Sequence, residues 1–599
     1  MKFKQSMIAT LIVTLLGACN FNGEDGADGI SGDQGQAGLM GQTGKDSPRG
    51  LQIDLIGRAL LNVESPEGAA EIVAYQQAKN WLYAINSSGS NVSVEIIDIN
   101  AIDAASLTKN AEGVITNTNL TSTMTIDVSS NTLGDANSIA IDDNYNVLAV
   151  AMAAKETGVA GNIAFYDISG AQPQFIKNVS VGALPDMVTF SHDGNKVLVA
   201  NEGEPSGDYA IDPEGSISVI TIHNGVPSDT ALSIDFNSFN DKKAQLTEQG
   251  VVFANPTGRT INGTIINTSV AMDLEPEYVT ITKDNKTAYI SLQENNAMAI
   301  LDLETMEVNV RGLGFKSWAD HMMDASDKDG GINLRQYPSL YGMYQPDTLT
   351  SYQWQGADFI VSANEGDGRE YFFAAENEAD CLTKGGLEFD VKDGCLSFTD
   401  EIRAKNLTLG ESFDYLNNDN NDLGRLKVTS FLGASDNSTD GKGTYDKLFT
   451  YGARSFTIWD SNGLVVFDSG DQIARITASI HGDAFNNDED ANEGDTRSDA
   501  KGAEPEALSI GKIGTQNYLF IGLERMSGIL AYNITNPYNV EFVEYFINRG
   551  LAEGQQISGD LGPEGMAFIS AENSPTSQAL LVVGNEISGS VAVWQIAEK

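Results

Sequence analysis

A short pattern recurs five times along the chain and constrains its architecture more than any other feature. Each copy opens on a proline and an acid, runs through a short apolar alternation, turns, and ends a second apolar run in glutamate. The copies are Pro185-Asp186 to Glu202, Pro276-Glu277 to Glu294, Pro346-Asp347 to Glu365, Pro505-Glu506 to Glu524 and Pro563-Glu564 to Glu586. Between these ends each copy reads as two strands: MVTF then VLVANE, YVTI then AYISLQE, TLTSY then FIVSANE, ALSI then YLFIGLE, and GMAF then LLVVGNE. A strand pair repeated along a long chain is the mark of a radial or stacked β array. In a propeller such units close into a ring whose inner strands face one channel. The pattern therefore predicts an all-β propeller with the recurring acids at equivalent places round that channel.

Two further stretches, 68–87 (GAAEIVAYQQAKNWLYAINS) and 136–153 (ANSIAIDDNYNVLAVAMA), are divergent copies without the proline. Residues 447–470 read as another strand pair with different punctuation. SISVITI (216–222), MAILDL (298–303) and ILAYNI (529–534) are predicted third strands. Five clear copies and two or three divergent ones predict seven blades, with eight as the alternative. Insertions near 225–270, 311–345, 371–445 and 478–502 are rich in Asp, Asn and Gly and are predicted to be loops on the faces of the ring, where propellers usually carry function.

The chain has 599 residues, far more than one domain of about 150 needs, but a closed ring of blades holds several hundred. The 83 acids against 36 bases give a formal charge of -47. Such a surface repels nucleic acid and anionic headgroups, so no nucleic-acid partner is expected. It suits divalent cations, or plain solubility outside the cell.

The N-terminus reads as targeting sequence. Lys2 and Lys4 precede an apolar run from Met7 to Leu16, too short to span a bilayer. Leu16-Gly17-Ala18-Cys19 resembles a bacterial lipobox, which predicts a lipoprotein signal peptide over 1–18 and lipid on the Cys19 thiol. The expected location is the cell envelope, as an outer-membrane lipoprotein that is periplasmic or surface-exposed. Behind Cys19, glycine stands at every third residue from 23 to 44, a collagen-like run. Its eight triplets hold no proline to stiffen a triple helix, so a hydrated tether over 19–50 is favoured over a trimer stalk, with a monomeric propeller over 51–599. Cys381 and Cys395 remain; in an oxidising compartment they are expected to pair. So short a loop stabilises by only about 3 kcal/mol.

The segments LPDMVTFSHDGNKVLVANEGEPSGDYAIDPEGSISVI, DASDKDGGINL, GMYQPD, ANEGDGREY, YGARSFTIWD, SDAKGAEPEAL and GLERMSGILAYNITNP together resemble the bacterial choice-of-anchor I proteins. The mesenchyme-specific cell surface glycoproteins of animals are similar. The resemblance runs from about residue 60 to the C-terminus. It implies an exported propeller of the YVTN or WD40-like kind, held at the surface by varied anchors. Some relatives carry an alkaline phosphatase label, which implies a metal-dependent phosphomonoesterase as the alternative function.

The candidate site is the acid ring: Asp186, Glu277, Asp347, Glu506 and Glu564 at one repeat position, Glu202, Glu294, Glu365, Glu524 and Glu586 at the other. Carboxylates crowded round a low-dielectric channel repel unless a cation or arginine neutralises them. Ca²⁺, which takes six to eight oxygens from flexible ligands, fits such a ring. The alternatives are acids that cap turn amides or pair with Arg369, Arg454, Arg497 and Arg525. Those arginines could instead hold a phosphate or carboxylate ligand bidentately. The loop carrying Asp324, Asp327 and Asp329 is a second candidate for Ca²⁺, without EF-hand spacing. The expected function is a lipid-anchored propeller that binds a divalent cation and an unknown ligand or surface partner at an acidic channel face. If Cys19 is the sole covalent anchor, Cys19→Ala releases the protein into the soluble fraction on cell fractionation; unchanged membrane retention contradicts this.

Overall fold

The computed structural model describes residues 50–61, 66–88, 92–130 and 133–599. The signal segment 1–18, Cys19 and the collagen-like run lie outside the described residues. Seven antiparallel sheets of four or more strands carry the architecture. Their first strands are Ala69–Gln76, Leu133–Asp142, Pro185–Phe190, Val279–Ile281, Leu349–Trp354, Pro505–Ile513 and Pro563–Ile569. Each first strand packs on the next in that order, and the last packs on the first, so the ring closes. The fold is an all-β propeller.

The sequence explains the layering within a blade. Second strands such as Lys196–Asn201 and Ala357–Asn364 are buried on both faces between neighbouring blades, which is why they read as continuous apolar runs. First strands such as Pro185–Phe190 and Leu349–Trp354 are only partly buried, because one face lines the channel. Outer strands such as Ser122–Asp127 are largely exposed and polar. The third strands expected at 216–222, 298–303 and 529–534 pair where predicted, as Ser216–His223, Ala297–Asp302 and Gly528–Asn533.

Residues 447–470 do contain a strand pair, but it does not begin a blade of its own. Ser455–Asp460 and Val465–Asp468 are the third and fourth strands of the blade that begins at Leu349–Trp354. The segment 365–454 is inserted between that blade's second and third strands, so adjacency in sequence misleads there. Leu448–Thr450 instead pairs in parallel with Leu340–Met343, outside the blade.

The ring is closed by strands from opposite ends of the chain. Leu51–Leu60 runs antiparallel to Ser590–Glu598, from Leu51 opposite Glu598 to Leu60 opposite Ser590. Arg58 on this strand is buried, and its Nε donates to Asp560 at 2.6 Å. Its two Nη atoms donate to the carbonyls of Thr116 and Gly559.

All four long insertions leave the ring at the end where the first strands begin, within 236–278, 313–348, 365–454 and 469–504. They have cores of their own. One gathers Trp318, Tyr337, Phe413 and Tyr445. Another packs Tyr209, Phe398 and Tyr451 round the Cys381–Cys395 disulfide.

A chain beginning at residue 50 is expected to unfold in one cooperative transition. Removing residues 50–60 as well takes away the buried Leu51 and Ile56, which alone contribute about 3–6 kcal/mol. Differential scanning calorimetry should then show a much lower midpoint or a split transition. An unchanged midpoint would contradict the closing role.

Candidate functional site

A left-handed kink before the proline brings the two acids of a copy to one end of the ring. Leu184, Gln345, Glu504 and Gly562 precede Pro185, Pro346, Pro505 and Pro563 with φ of 49°, 42°, 56° and 70°. For the three non-glycine residues this conformation costs about 1–3 kcal/mol each. It turns the carbonyls of Leu184, Glu504 and Gly562 onto the N–H groups of Glu202, Glu524 and Glu586, at 2.9, 2.8 and 2.8 Å. The asparagine before the glutamate fixes the strand end. Asn201 Nδ2 donates to the Ser216 carbonyl and to Ser218 Oγ, and Asn364 Nδ2 to Ser455 Oγ and Thr457 Oγ1.

The result is an acidic mouth of about 420 Å³ at the end of the channel. Asp186, Glu202, Glu277, Glu294, Asp347, Glu365, Glu506, Glu524 and Glu564 line it, joined by Glu204 and Asp367. Against these eleven carboxyls stand two cationic side chains, Lys501 and Arg525. Glu586 lies beside Glu564, and Glu71 from the first, proline-less copy faces them both.

The two cations occupy one sector. Lys501 Nζ is 2.5 Å from Glu365 Oε1, 3.3 Å from Glu504 Oε2 and 3.5 Å from Asp367. Arg525 donates from Nε to Glu504 Oε2 at 3.1 Å and from Nη2 toward Glu524 Oε1 at 3.2 Å, and its Nη1 meets Glu489. Arg497 holds Glu504 from the other side at 2.5 Å. Outside this sector compensation is sparse, Glu204 having the Arg369 charge and the Tyr371 hydroxyl. One oxygen each of Glu277, Glu294, Glu506 and Glu564 is buried without a hydrogen-bond partner, and Glu277 as a whole is 7% exposed. Buried polar atoms are almost always partnered, so these oxygens are open to a proton, a water or a cation.

Burial, then neighbouring carboxylates, raise the pKa values here. Asp186 is pushed up to about 7 by burial and then by Glu204 and Glu294. Glu204 reaches about 7 by burial and then Glu294. Asp347 reaches about 8 by burial and then Glu365. Glu202, Glu277, Glu506, Glu524 and Glu564 are raised well above the usual carboxylate range, burial again leading.

Two of the four arginines predicted for ligand binding are committed elsewhere. Arg454 donates to the backbone carbonyls of Asp324, Ser498 and Ala500, because the insertion it supports leaves those carbonyls without other donors. Arg369 is buried against Asp273 and Glu275 and the carbonyls of Ala254 and Asp273. Arg497 and Arg525 stand at the mouth, but each is already ion-paired. The Asp324, Asp327 and Asp329 loop does not converge. Asp327 is neutralised by Arg425 at 2.8 Å and by Lys328 at 2.5 Å. Asp324 accepts from the Ser326 and Asn333 N–H groups, while Asp329 accepts from the Asn333 side chain.

Sequence reasoning missed Glu204, Asp367 and Glu71. A signal existed for the first two: Asn201-Glu202-Gly203-Glu204 and Asn364-Glu365-Gly366-Asp367 repeat one another. Glu71 sits in the copy that lacks the proline.

Fold and site together define an acid-mouthed, surface-associated β-propeller. The chain belongs to the choice-of-anchor I family, whose domain model matches residues 71–537. Membership places it among exported or cell-surface proteins, and no helix among the described residues is long and apolar enough to cross a membrane. It is 28% identical over 188 residues to Gigasin-3a of Magallana gigas, covering 29% of this chain and 64% of that protein. It is 26% identical over 277 residues to the mesenchyme-specific cell surface glycoprotein of Strongylocentrotus purpuratus, covering 44% and 35%. The matches thus span less than two thirds of either relative. Among solved structures, a Kuenenia stuttgartiensis hydrazine synthase chain is similar at TM-score 0.43 and 13% identity, over 90% of this chain and 98% of that one. The WD40 domain of Toxoplasma gondii coronin is similar at TM-score 0.43 and 8% identity, over 92% and 88%.

Raised folded-state pKa values mean that the folded chain holds protons the unfolded chain has lost. The penalty is absent below the unfolded carboxylate value of about 4. It grows as pH rises and is complete above the folded values of about 7 to 8. In excess chelator the thermal midpoint should therefore fall across this window. Glu277→Gln with Glu506→Gln should flatten the fall, each removing up to about one proton from the linkage. An unchanged slope in the double variant would count against this account.

Proposed function

We propose that this protein is a surface propeller whose acidic mouth binds a divalent cation, with Ca²⁺ the favoured ion, and presents the ion-loaded face and the surrounding insertions to an extracytoplasmic ligand or partner. The observation that carries this reading is the set of buried carboxylate oxygens without partners in a mouth of eleven carboxyls and two cationic side chains. Asp347, Glu365 and Glu506 offer oxygens all within 4.8 Å of one another, a spread that one cation with Ca²⁺–oxygen distances of about 2.3–2.6 Å can bridge. Lipid on Cys19 would supply the anchor.

The phosphomonoesterase reading finds less support. It needs an arginine clamp free to take phosphate, whereas Arg369 and Arg454 are buried on other partners and Arg497 and Arg525 are spent on carboxylates.

Chelator should lower the melting temperature by a few degrees and Ca²⁺ should restore it, the ion contributing about 2.7 kcal/mol at a hundredfold excess over Kd. Asp347→Asn with Glu506→Gln should blunt that response, while Asp327→Asn should leave it intact. Absence of any chelator effect would return the acids to a purely structural role.

A further inference from the structure

We propose that the protein holds a single chloride ion in a small cavity among the insertions, at the N-terminus of the helix Gln472–His481 and against Arg454 and Trp318. This site is separate from the acidic mouth and does not rest on the cation reading.

The helix supplies the first donors. It is ten residues long, and the N–H groups of a first turn have no partner within their own helix. The Gln472 N–H donates back to the Ser469 carbonyl. The Ile473 and Ala474 N–H groups find no acceptor among the described residues. The Gly470 carbonyl, four positions before Ala474, accepts from Lys316 Nζ at 2.6 Å instead. Asp471, the residue before the helix, does not cap it with its side chain. Its carboxylate accepts from the Met322 N–H and pairs with Arg475 at 3.0 Å. Ile473 and Ala474 both line the cavity. Free N–H groups and the positive end of the helix dipole attract an anion there.

Two side chains in the same lining carry the argument further. Arg454 is 7% exposed and Trp318 is 1% exposed. Arg454 Nε and Trp318 Nε1 are buried donors without an acceptor. The other guanidinium nitrogens of Arg454 are spent on the carbonyls of Asp324, Ser498 and Ala500. Among the described residues no carboxylate pairs with it, so a buried guanidinium stands without a counter-ion, and burial lowers its pKa to about 10. A buried charge is costly unless paired. The two acids in the lining are engaged already: Asp471 as above, and Asp324 on the Ser326 and Asn333 N–H groups.

Size selects the ion. The cavity measures about 10 Å³, the space one water-sized body needs, which excludes phosphate, sulfate and organic carboxylates. Chloride has no directional demand of its own, accepts from several N–H groups at once and brings the charge that Arg454 lacks. A water molecule neutralises nothing and needs acceptors for its own two hydrogens. The donors come from three different insertions, so the ion ties them to one another: Trp318 from 313–348, Arg454 from the end of 365–454, and the helix from 469–504.

The test exchanges anions at constant ionic strength. Full-length protein in chelator is melted while sodium gluconate, too large for the cavity, is replaced stepwise by sodium chloride. The midpoint should rise by a few degrees and saturate. Trp318→Phe keeps an aromatic ring but loses the N–H, and its apparent Kd for chloride should weaken about 10- to 100-fold. Asp347→Asn with Glu506→Gln, at the mouth, should respond as wild type does. Wild-type crystals grown without halide and soaked in bromide should show anomalous scattering in the cavity, a readout that needs no variant to fold. A midpoint indifferent to chloride overturns the proposal, as does a Trp318→Phe response equal to that of wild type. A bromide peak without a saturable midpoint shift means an adventitious ion only and overturns it too.

Discussion

Everything at the mouth depends on closure of the ring. The first and last blades share no stretch of sequence, yet Glu71 lies against Glu564 and Glu586 because the strand Leu51–Leu60 completes the sheet of Ser590–Glu598. Closure also buries the apolar faces of the two terminal blades, Ala70 and Val73 against Leu580 and Val582, which an open array would expose. The buried Arg58–Asp560 pair locks this junction, with Asp560 also accepting from Ser590 and Asn548. A buried pair of this kind is weak evidence for net stability, but removing one partner strands the other charge. Its value here lies in register: Arg58 reaches Asp560 in one alignment of the closing strand.

Closure forces carboxylates together, and the insertions decide how the charge is answered. Those entering near residue 500 bring Lys501 and Arg497 to Glu504 and Glu365, leaving the remainder of the ring to protons or external cations. The mouth is therefore lopsided although its repeats are alike. The buried Lys316, held by the Ala453 and Gly470 carbonyls and Asp468, ties the insertion layer to the blade beneath it.

Much of this was legible in the sequence. The strand pairs and their acids could be read because one punctuation, proline–acid at the start and glutamate at the end, survives in five copies. The closing strand could not, since LQIDLIGRAL carries no such punctuation. The misplacement of 447–470 has the same root: a long insertion hides that its strands complete an earlier blade. Arg454 looked like a ligand-binding group because its environment is set by carbonyls from distant segments, and no local pattern announces them. The Lys501–Glu365 contact spans 136 positions, so which acids the chain neutralises by itself could only be seen in three dimensions. The tail of the chain before residue 50, with Cys19, remains an expectation from its own residues.

The two ends of the propeller meet. The Lys599 N–H donates to the Gly50 carbonyl at 2.7 Å, at the end of the closing sheet remote from the acids, on the face formed mostly by tight turns. Joining these neighbours and cutting a turn elsewhere on that face would give a circular permutant with the same ring. Immobilising the protein through either end would leave the acidic mouth turned outward, free for whatever approaches it from solution.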